Sequence, residues 1–164
     1  MRERTGPDAT DGGLAPFAVD GSAVAIVNLS SLGGTEEYAS GGATFGTLVH
    51  ASLATVPPDV SPAALDALVA THGRIVGAEG DEVAAAVSVV GAVLRHPLVE
   101  GARAAERDGR CHRELPLTML DGDLLLEGVA DLAFEHDGVM TVVDFKTDRP
   151  DPETLDRYAR QVRS

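Results

Sequence analysis

The sequence has one cysteine, few basic residues and no long apolar run, and each scarcity excludes a class of protein. The single Cys111 cannot form an internal disulfide and cannot supply the four thiolates of an iron-sulfur cluster. The longest apolar run, residues 83–94, is shorter than the roughly 20 residues that a membrane span needs. No apolar stretch follows the charged N-terminus, so we expect neither a secretory signal nor a membrane partner, and a cytoplasmic location.

Two further absences concern phosphate chemistry. The sequence contains no G-x-x-x-x-G-K-[ST] loop, so it has no site at which ATP chemistry can be placed. Thirteen basic residues stand against 26 acidic ones, for a formal net charge of −13. This charge has the wrong sign for a chain that binds nucleic acid through a broad basic surface.

The length of 164 residues and a hydrophobic content of 44% suffice for one domain with a real core. Residues 1–40 are rich in Gly, Ser, Thr, Asp and Ala without sustained periodicity, which predicts a poorly ordered lead-in or linker. Residues 41–164 form the expected domain.

The first half of this domain shows helical spacing. Apolar residues in the stretch that starts at Gly46 fit one helical face, which ends before Pro57. Ser61 followed by Pro62 predicts the N-cap of a second helix. Asp81 is the predicted cap of a third helix, which runs to about residue 94, and a fourth follows Pro97 and stops near residue 109.

The second half predicts strands at 113–120, 124–136 and 139–147, separated by Asp-Gly turns that favour hairpins. After them, Asp151 and Pro152 predict the start of a helix that runs to the last residue. The pattern indicates an α/β domain in which helices flank a small sheet with a three-stranded meander.

The Asp137-Gly138 turn sets the register of the last hairpin. If these two residues form the loop, His136 pairs with Val139, and the same register places Asp131 opposite Asp144. Facing side chains have Cβ atoms roughly 4.5 to 5.5 Å apart, close enough for two carboxylates to bind one divalent ion.

Because side chains alternate along a strand, Lys146 is expected on the face that carries Asp144. Two acids and a lysine suit metal-assisted hydrolysis of a phosphodiester. A cation such as Mg²⁺ polarises the phosphoryl oxygen and activates water, and Lys146 would orient that water or stabilise charge in the transition state.

Four segments together carry a resemblance to a known family. GTLVH at 46–50, EGVADLAF at 127–134, VVDFKTD at 142–148 and YARQ at 158–161 resemble the motifs of the RecB/AddA nuclease domain of the PD-(D/E)XK class. The resemblance covers roughly residues 45–56 and 113–164. It implies a restriction-endonuclease-like core with a small central mixed sheet.

The resemblance also implies roles for individual residues. The family's metal ligands match His50, Asp131, Asp144 and the main-chain carbonyl of Phe145, and its catalytic lysine matches Lys146. Supporting or DNA-contacting positions match Glu114, Tyr158 and Gln161.

The implied activity is DNA hydrolysis that depends on Mg²⁺ or Mn²⁺, as an exonuclease rather than an endonuclease. A helicase motor elsewhere in a longer parent protein would supply single strands during recombinational repair of double-strand breaks. The family usually has a tyrosine four residues after the glutamine, whereas this sequence stops at Ser164, so we expect a C-terminally truncated domain. A larger parent, or cations at the acidic site, would offset the negative charge.

Other interpretations of the same residues stay open. His50 on a helix is often a satisfied polar residue, and Glu114 and Gln161 are equally typical of an exposed surface. Asp131 and Asp144 would then be two acids on a solvated strand face. A degenerate nuclease fold that only binds DNA or a partner subunit, or a stand-alone nuclease without a motor, would show many of the same motifs.

Overall fold

The computed structural model describes residues 17–19, 22–24, 42–121, 124–147 and 153–154. Its strands are β1 (Phe17–Val19), β2 (Ser22–Val24), β3 (Cys111–Asp121), β4 (Leu124–His136) and β5 (Val139–Val143). Its helices are α1 (Ala43–Thr55), α2 (Pro62–Val76), α3 (Gly80–Arg95) and α4 (Pro97–Arg107). The fold is therefore mixed α/β, as the sequence predicts, and it is consistent with a restriction-endonuclease-like core.

Two short strands lie in the segment for which the sequence predicts a lead-in or linker. Strands β1 and β2 pair in antiparallel fashion, with Phe17 opposite Val24. Each strand has only three residues. A run of this length is too short to show an alternating pattern of apolar and polar residues, so sequence reasoning missed it.

The local sequence explains most helix ends. The Ser61 hydroxyl accepts a hydrogen bond from the Ala64 N–H at 3.3 Å, and Pro62 occupies the first turn of α2, as predicted. The prediction that Asp81 caps α3 is wrong. The cap is Glu79, whose N–H donates to the Glu82 side chain at 3.0 Å, and Asp81 lies inside the first turn.

The main sheet is an antiparallel meander in the order β3-β4-β5. Its last turn confirms the predicted register, because His136 pairs with Val139. Asp137 and Gly138 both have left-handed backbone angles, with φ of 51° and 75°, as a two-residue hairpin of type I′ requires. The mixed sheet that the resemblance implies would need a parallel strand, and the described residues contain none.

Strand β5 is shorter than the sequence predicts. The ladder between β4 and β5 ends at the pair Leu132 and Val143, and residues 144–147 follow without regular structure. Asp131 and Asp144 are therefore the next positions beyond the ladder rather than a pair within it. The side-chain contacts that replace this pair belong to the candidate site.

The core consists of two adjoining clusters. The larger one joins the buried faces of α1, α2 and α3, with Leu48, Val69 and Val90 among its fully buried members. In the smaller one, α4 covers the face of the sheet that carries Leu132 and Phe134. Helix packing thus fixes α1 mainly against other helices, while α4 is the helix that lies on the sheet.

Two helices meet at a sharp bend. Among the described residues no single helix is long and apolar enough to cross a membrane, and α3 and α4 pass such a test only as a pair bent by 73°.

One buried hydroxyl in α1 gives a direct test of the packing. Ser52 is fully buried, and its Oγ has no hydrogen-bond partner among the described residues. We expect Ser52→Ala to raise the free energy of unfolding by about 1 kcal/mol, because it removes an unsatisfied polar atom and favours the helix.

Urea denaturation of the parent and the variant measures this difference. Ser61→Ala is the matched control, since it removes a hydroxyl that caps α2 and should lower the free energy of unfolding by about 1 kcal/mol. Destabilisation by both substitutions would show that Ser52 has a partner in solution.

Candidate active site

Residues from three distant parts of the chain meet beside the open end of the β4–β5 ladder. Helix α1 contributes His50, β4 contributes Asp131, and the segment after β5 contributes Asp144 and Lys146. We refer to these four residues as the charged cluster. All four side chains are partly exposed, between 19% and 34%, so the cluster is accessible to solvent.

The first contact in the cluster joins the helix to the sheet. His50 Nδ1 lies 3.1 Å from Asp131 Oδ1. With the carboxyl group ionised, the imidazole donates its Nδ1–H to this oxygen, which leaves Nε2 with a lone pair when the ring is neutral. The residues are 81 positions apart, so the fold alone brings them together.

The second oxygen of Asp131 fastens the segment after β5. The Phe145 N–H donates to Asp131 Oδ2 at 2.6 Å. This bond replaces the ladder pair that Asp131 and Asp144 would have made. The Phe145 ring packs against both hydrophobic clusters, so the main chain at 144–147 is held by a polar contact and an apolar one.

The third contact lies within that segment. Lys146 Nζ is 2.7 Å from Asp144 Oδ2. The two residues are two positions apart, and the alternation that turns Phe145 into the core leaves both on the other side of the chain. The spacing predicts that the acid and the lysine lie on the same side of the chain, and the structure brings them into contact there.

These contacts shift two pKa values. The hydrogen bond to Asp131 raises the pKa of His50, against burial and the charge of Lys146, which lower it. Burial raises the pKa of the Asp131 carboxyl, but the hydrogen bonds from His50 and the Phe145 N–H bring it below its ordinary value. The charges of His50 and Lys146 act in the same direction.

The directions of the two pKa shifts determine how the stability of the fold depends on pH. A raised pKa in the folded state makes the contribution of His50 to stability largest below the ordinary imidazole pKa. That contribution disappears as the pH rises through the folded-state value. The lowered pKa of Asp131 gives stability above the ordinary carboxyl pKa, which is lost as the pH falls through the folded-state value.

Glu114 lies at the position in β3 that faces Asp131 in β4. The β3–β4 ladder pairs Arg113 with Leu132 and Leu115 with Ala130, and it skips the pair between them. Glu114 itself has a left-handed φ of 49°, a conformation that is uncommon for a residue with a Cβ. Its side chain is exposed, and it is not among the charges that shift the pKa of Asp131. Tyr158 and Gln161 lie outside the described residues.

The cluster has donors that suit a divalent cation. One imidazole, two carboxylates and the Phe145 carbonyl match the ligand preference of Mg²⁺ or Mn²⁺. To bind an ion beside Asp131 through Nδ1, His50 would have to give up the proton that this nitrogen donates; the 3.1 Å between Nδ1 and Asp131 Oδ1 is close to the roughly 3.0 Å between adjacent ligands of an octahedral ion with bonds of about 2.1 Å. Two of the donors therefore already have a suitable separation.

Asp144 is not part of the pair formed by His50 and Asp131, because its carboxylate contacts Lys146. Among the described residues no three His, Cys, Asp or Glu side chains form a group that could hold an ion. Each carboxylate is held by a side chain of the protein, Asp131 by the His50 imidazole and Asp144 by the Lys146 ammonium group. An ion would replace part of these contacts, and its charge would offset the repulsion between the two acids.

Sequence reasoning missed two features of the cluster. Gly46 lies one helical turn before His50, and a Cβ added to it would come within 3.0 Å of Thr147 Oγ1. The glycine therefore allows α1 to approach the segment that carries Lys146. The second feature was visible in the sequence, because Lys146 is the only lysine, and every other basic residue is an arginine.

The close approach at Gly46 predicts that stability and metal binding will respond differently to one substitution. Gly46→Ala should favour the helix by up to about 1 kcal/mol, while its methyl group pushes the segment at Thr147 away from α1. We expect a melting temperature that is unchanged or higher, together with weaker binding of Mn²⁺ in a calorimetric titration.

The double variant Gly46→Ala/Thr147→Ala supplies the control. Removal of the threonine Oγ1 makes room for the new methyl group, so Mn²⁺ affinity should recover relative to the single variant. Equal loss in the single and double variants would show that the close approach does not set the geometry of the cluster.

A comparison with protein families identifies the chain at the level of a superfamily. Residues 27–163 match the PD-(D/E)XK nuclease superfamily, a range that includes the four described helices, the meander and the whole charged cluster. Comparisons with curated proteins and with solved structures gave no match. The family match spans well over half of the chain and agrees with the α/β fold. The protein therefore belongs to the PD-(D/E)XK nuclease superfamily.

Proposed function

We propose that the protein is a metal-dependent DNA nuclease that hydrolyses phosphodiester bonds at the charged cluster. Membership of the superfamily suggests nuclease activity and the use of a divalent metal. The single observation that supports the site is the meeting of His50, Asp131, Asp144 and Lys146 from three parts of the chain, through contacts of 2.6 to 3.1 Å that include the bond from the Phe145 N–H to Asp131. A solvated acidic surface would not require contacts between such distant segments.

In this proposal His50, Asp131, Asp144 and the Phe145 carbonyl hold Mg²⁺ or Mn²⁺. The ion supplies Lewis acidity, which polarises a phosphoryl oxygen and lowers the pKa of a water. Asp131 is oriented for this role because both of its oxygens accept hydrogen bonds, one from His50 and one from the Phe145 N–H. An ion bound through His50 Nδ1 would replace the hydrogen bond from His50, while the bond from the Phe145 N–H would continue to hold the carboxylate.

Lys146 has a different role. Its ammonium group is fixed by Asp144 at 2.7 Å and remains 32% exposed, so it can reach a phosphate that arrives from solvent. There it donates hydrogen bonds to the phosphate oxygens and stabilises the negative charge that grows in the transition state. Since lysine has no lone pair when charged, it does not compete for the metal.

The wider setting is also part of the proposal. The excess of acidic residues argues against a broad DNA-binding surface on this chain, so other parts of a helicase-nuclease would supply the phosphate contacts. We propose that a helicase motor feeds single strands to this module, which degrades them as an exonuclease in recombinational repair of double-strand breaks in the cytoplasm. Glu114, Tyr158 and Gln161 are candidates for contacts with the strand.

Replacement of Lys146 tests the proposed chemistry. Lys146→Ala should lower kcat by about 100- to 1,000-fold, since it removes one stabilising donor from the transition state. Mn²⁺ affinity should not fall, because lysine is not a ligand and its loss releases Asp144 from the ion pair. Cleavage of a labelled single-stranded oligonucleotide with Mg²⁺ or Mn²⁺ measures kcat, and calorimetry measures affinity.

Arg110→Ala is the matched control for this experiment. Arg110 forms an ion pair of similar length with Asp108, at 2.8 Å, but it lies outside the charged cluster. Its loss should leave cleavage unchanged. Near-parental cleavage by Lys146→Ala would contradict the role of the lysine. Metal binding by the parent without any cleavage would favour a fold that only binds DNA or a partner.

A further inference from the structure

One arginine connects the helix that carries His50 with the sheet that carries Asp131. The Arg113 Nη1 donates to the carbonyl oxygens of Leu53 and Val56, at 2.7 Å each. These acceptors lie in the last turn of α1 and at its C-cap. His50 is three residues before Leu53, so the anchored turn is the one that follows the histidine.

The main chain of Arg113 lies close to Asp131 in the sheet. Arg113 is part of β3 and pairs with Leu132 in β4, and Leu132 is the neighbour of Asp131. On its other side the Arg113 guanidinium is 3.6 Å from Glu106 of α4. The side chain is only 23% exposed, so the arginine is held by three elements at once.

Few other links fix the distance between α1 and β4. The buried face of α1 packs mainly against α2 and α3, and the helix touches β4 only lightly. A helix also ends with carbonyl groups that have no partner inside the helix. Arg113 satisfies two such groups and ties them to the strand, and a charged donor makes a strong bond of this kind.

We propose that Arg113 is a positioning residue for the metal centre: it seats α1 on the sheet so that His50 meets Asp131 at ligand distance. This inference rests on the proposed metal-dependent function. Arg113 does not touch the metal or the substrate. Its effect passes through the last turn of α1 to His50.

Arg103 provides a close match for comparison. Its guanidinium also donates to two main-chain carbonyls at 2.7 Å, those of Pro58 and Leu94, and it lines the same small cavity as Arg113. The difference lies in what the two arginines hold. Arg103 fastens the loop beyond α1 and the end of α3, whereas Arg113 fastens α1 itself.

The test compares Mn²⁺ affinity by calorimetry and melting temperature for the parent chain, Arg113→Gln and Arg103→Gln. Both variants lose similar hydrogen bonds and should melt at similarly lowered temperatures. Arg113→Gln should bind Mn²⁺ about tenfold more weakly, as is usual when a residue that orients a ligand is removed. Arg103→Gln should bind Mn²⁺ as the parent does.

If a glutamine variant fails to fold, Arg113→Lys and Arg103→Lys can be compared in the same way. Arg113→Lys keeps the charge and one carbonyl bond, so its affinity should fall between those of the parent and Arg113→Gln, at about a threefold loss. Arg103→Lys should again match the parent.

Two results would overturn the inference. One is parental Mn²⁺ affinity in the Arg113 variants, and the other is an equal loss of affinity in the Arg113 and Arg103 variants. Both would leave the proposed function intact, because the parent chain still binds the ion. Absence of Mn²⁺ binding by the parent would instead contradict the proposed function, and the inference would fall with it.

Discussion

The hydrogen bond between His50 and Asp131 is the contact on which the arrangement of the charged cluster depends. It is the direct polar link between α1 and the strand that carries the central acid, and it joins residues 81 positions apart. It also orients Asp131 so that the second carboxylate oxygen receives the Phe145 N–H. The position of Asp144 and Lys146 therefore follows from the same carboxylate. Asp131, a partly buried acid beyond the end of the β4–β5 ladder, thus holds both α1 and the segment after β5 in place.

The rest of the fold serves to keep this contact in place. Close approach at Gly46 lets α1 lie against the segment at Thr147, and Arg113 fastens the opposite end of the helix to β3. Helix α4 supports the sheet from the face that carries Leu132. Between these supports the charged side chains pair with each other and stay partly exposed, so a divalent ion and a phosphate can reach them from solvent.

Local rules were enough to predict the main elements of this structure. The Asp137-Gly138 turn fixed the hairpin register, since both residues adopt the left-handed angles that such a turn needs. The end of β5 at Val143 was not predictable, because it depends on the Asp131 side chain capturing a main-chain N–H. The role of Arg113 could not be predicted either, because its acceptors are carbonyl groups 60 and 57 positions away in the sequence.

The central claim is that a divalent ion binds to the carboxylates of the cluster, and thermal melting of the parent and of Asp144→Asn tests it most directly. In EDTA the two should melt at similar temperatures, since a partly exposed ion pair with Lys146 is worth no more than about 1 kcal/mol. At a Mn²⁺ concentration one hundred times its Kd, the parent should gain about 2.7 kcal/mol of stability, and Asp144→Asn should lose most of that gain. Equal upward shifts in the two proteins would contradict the account.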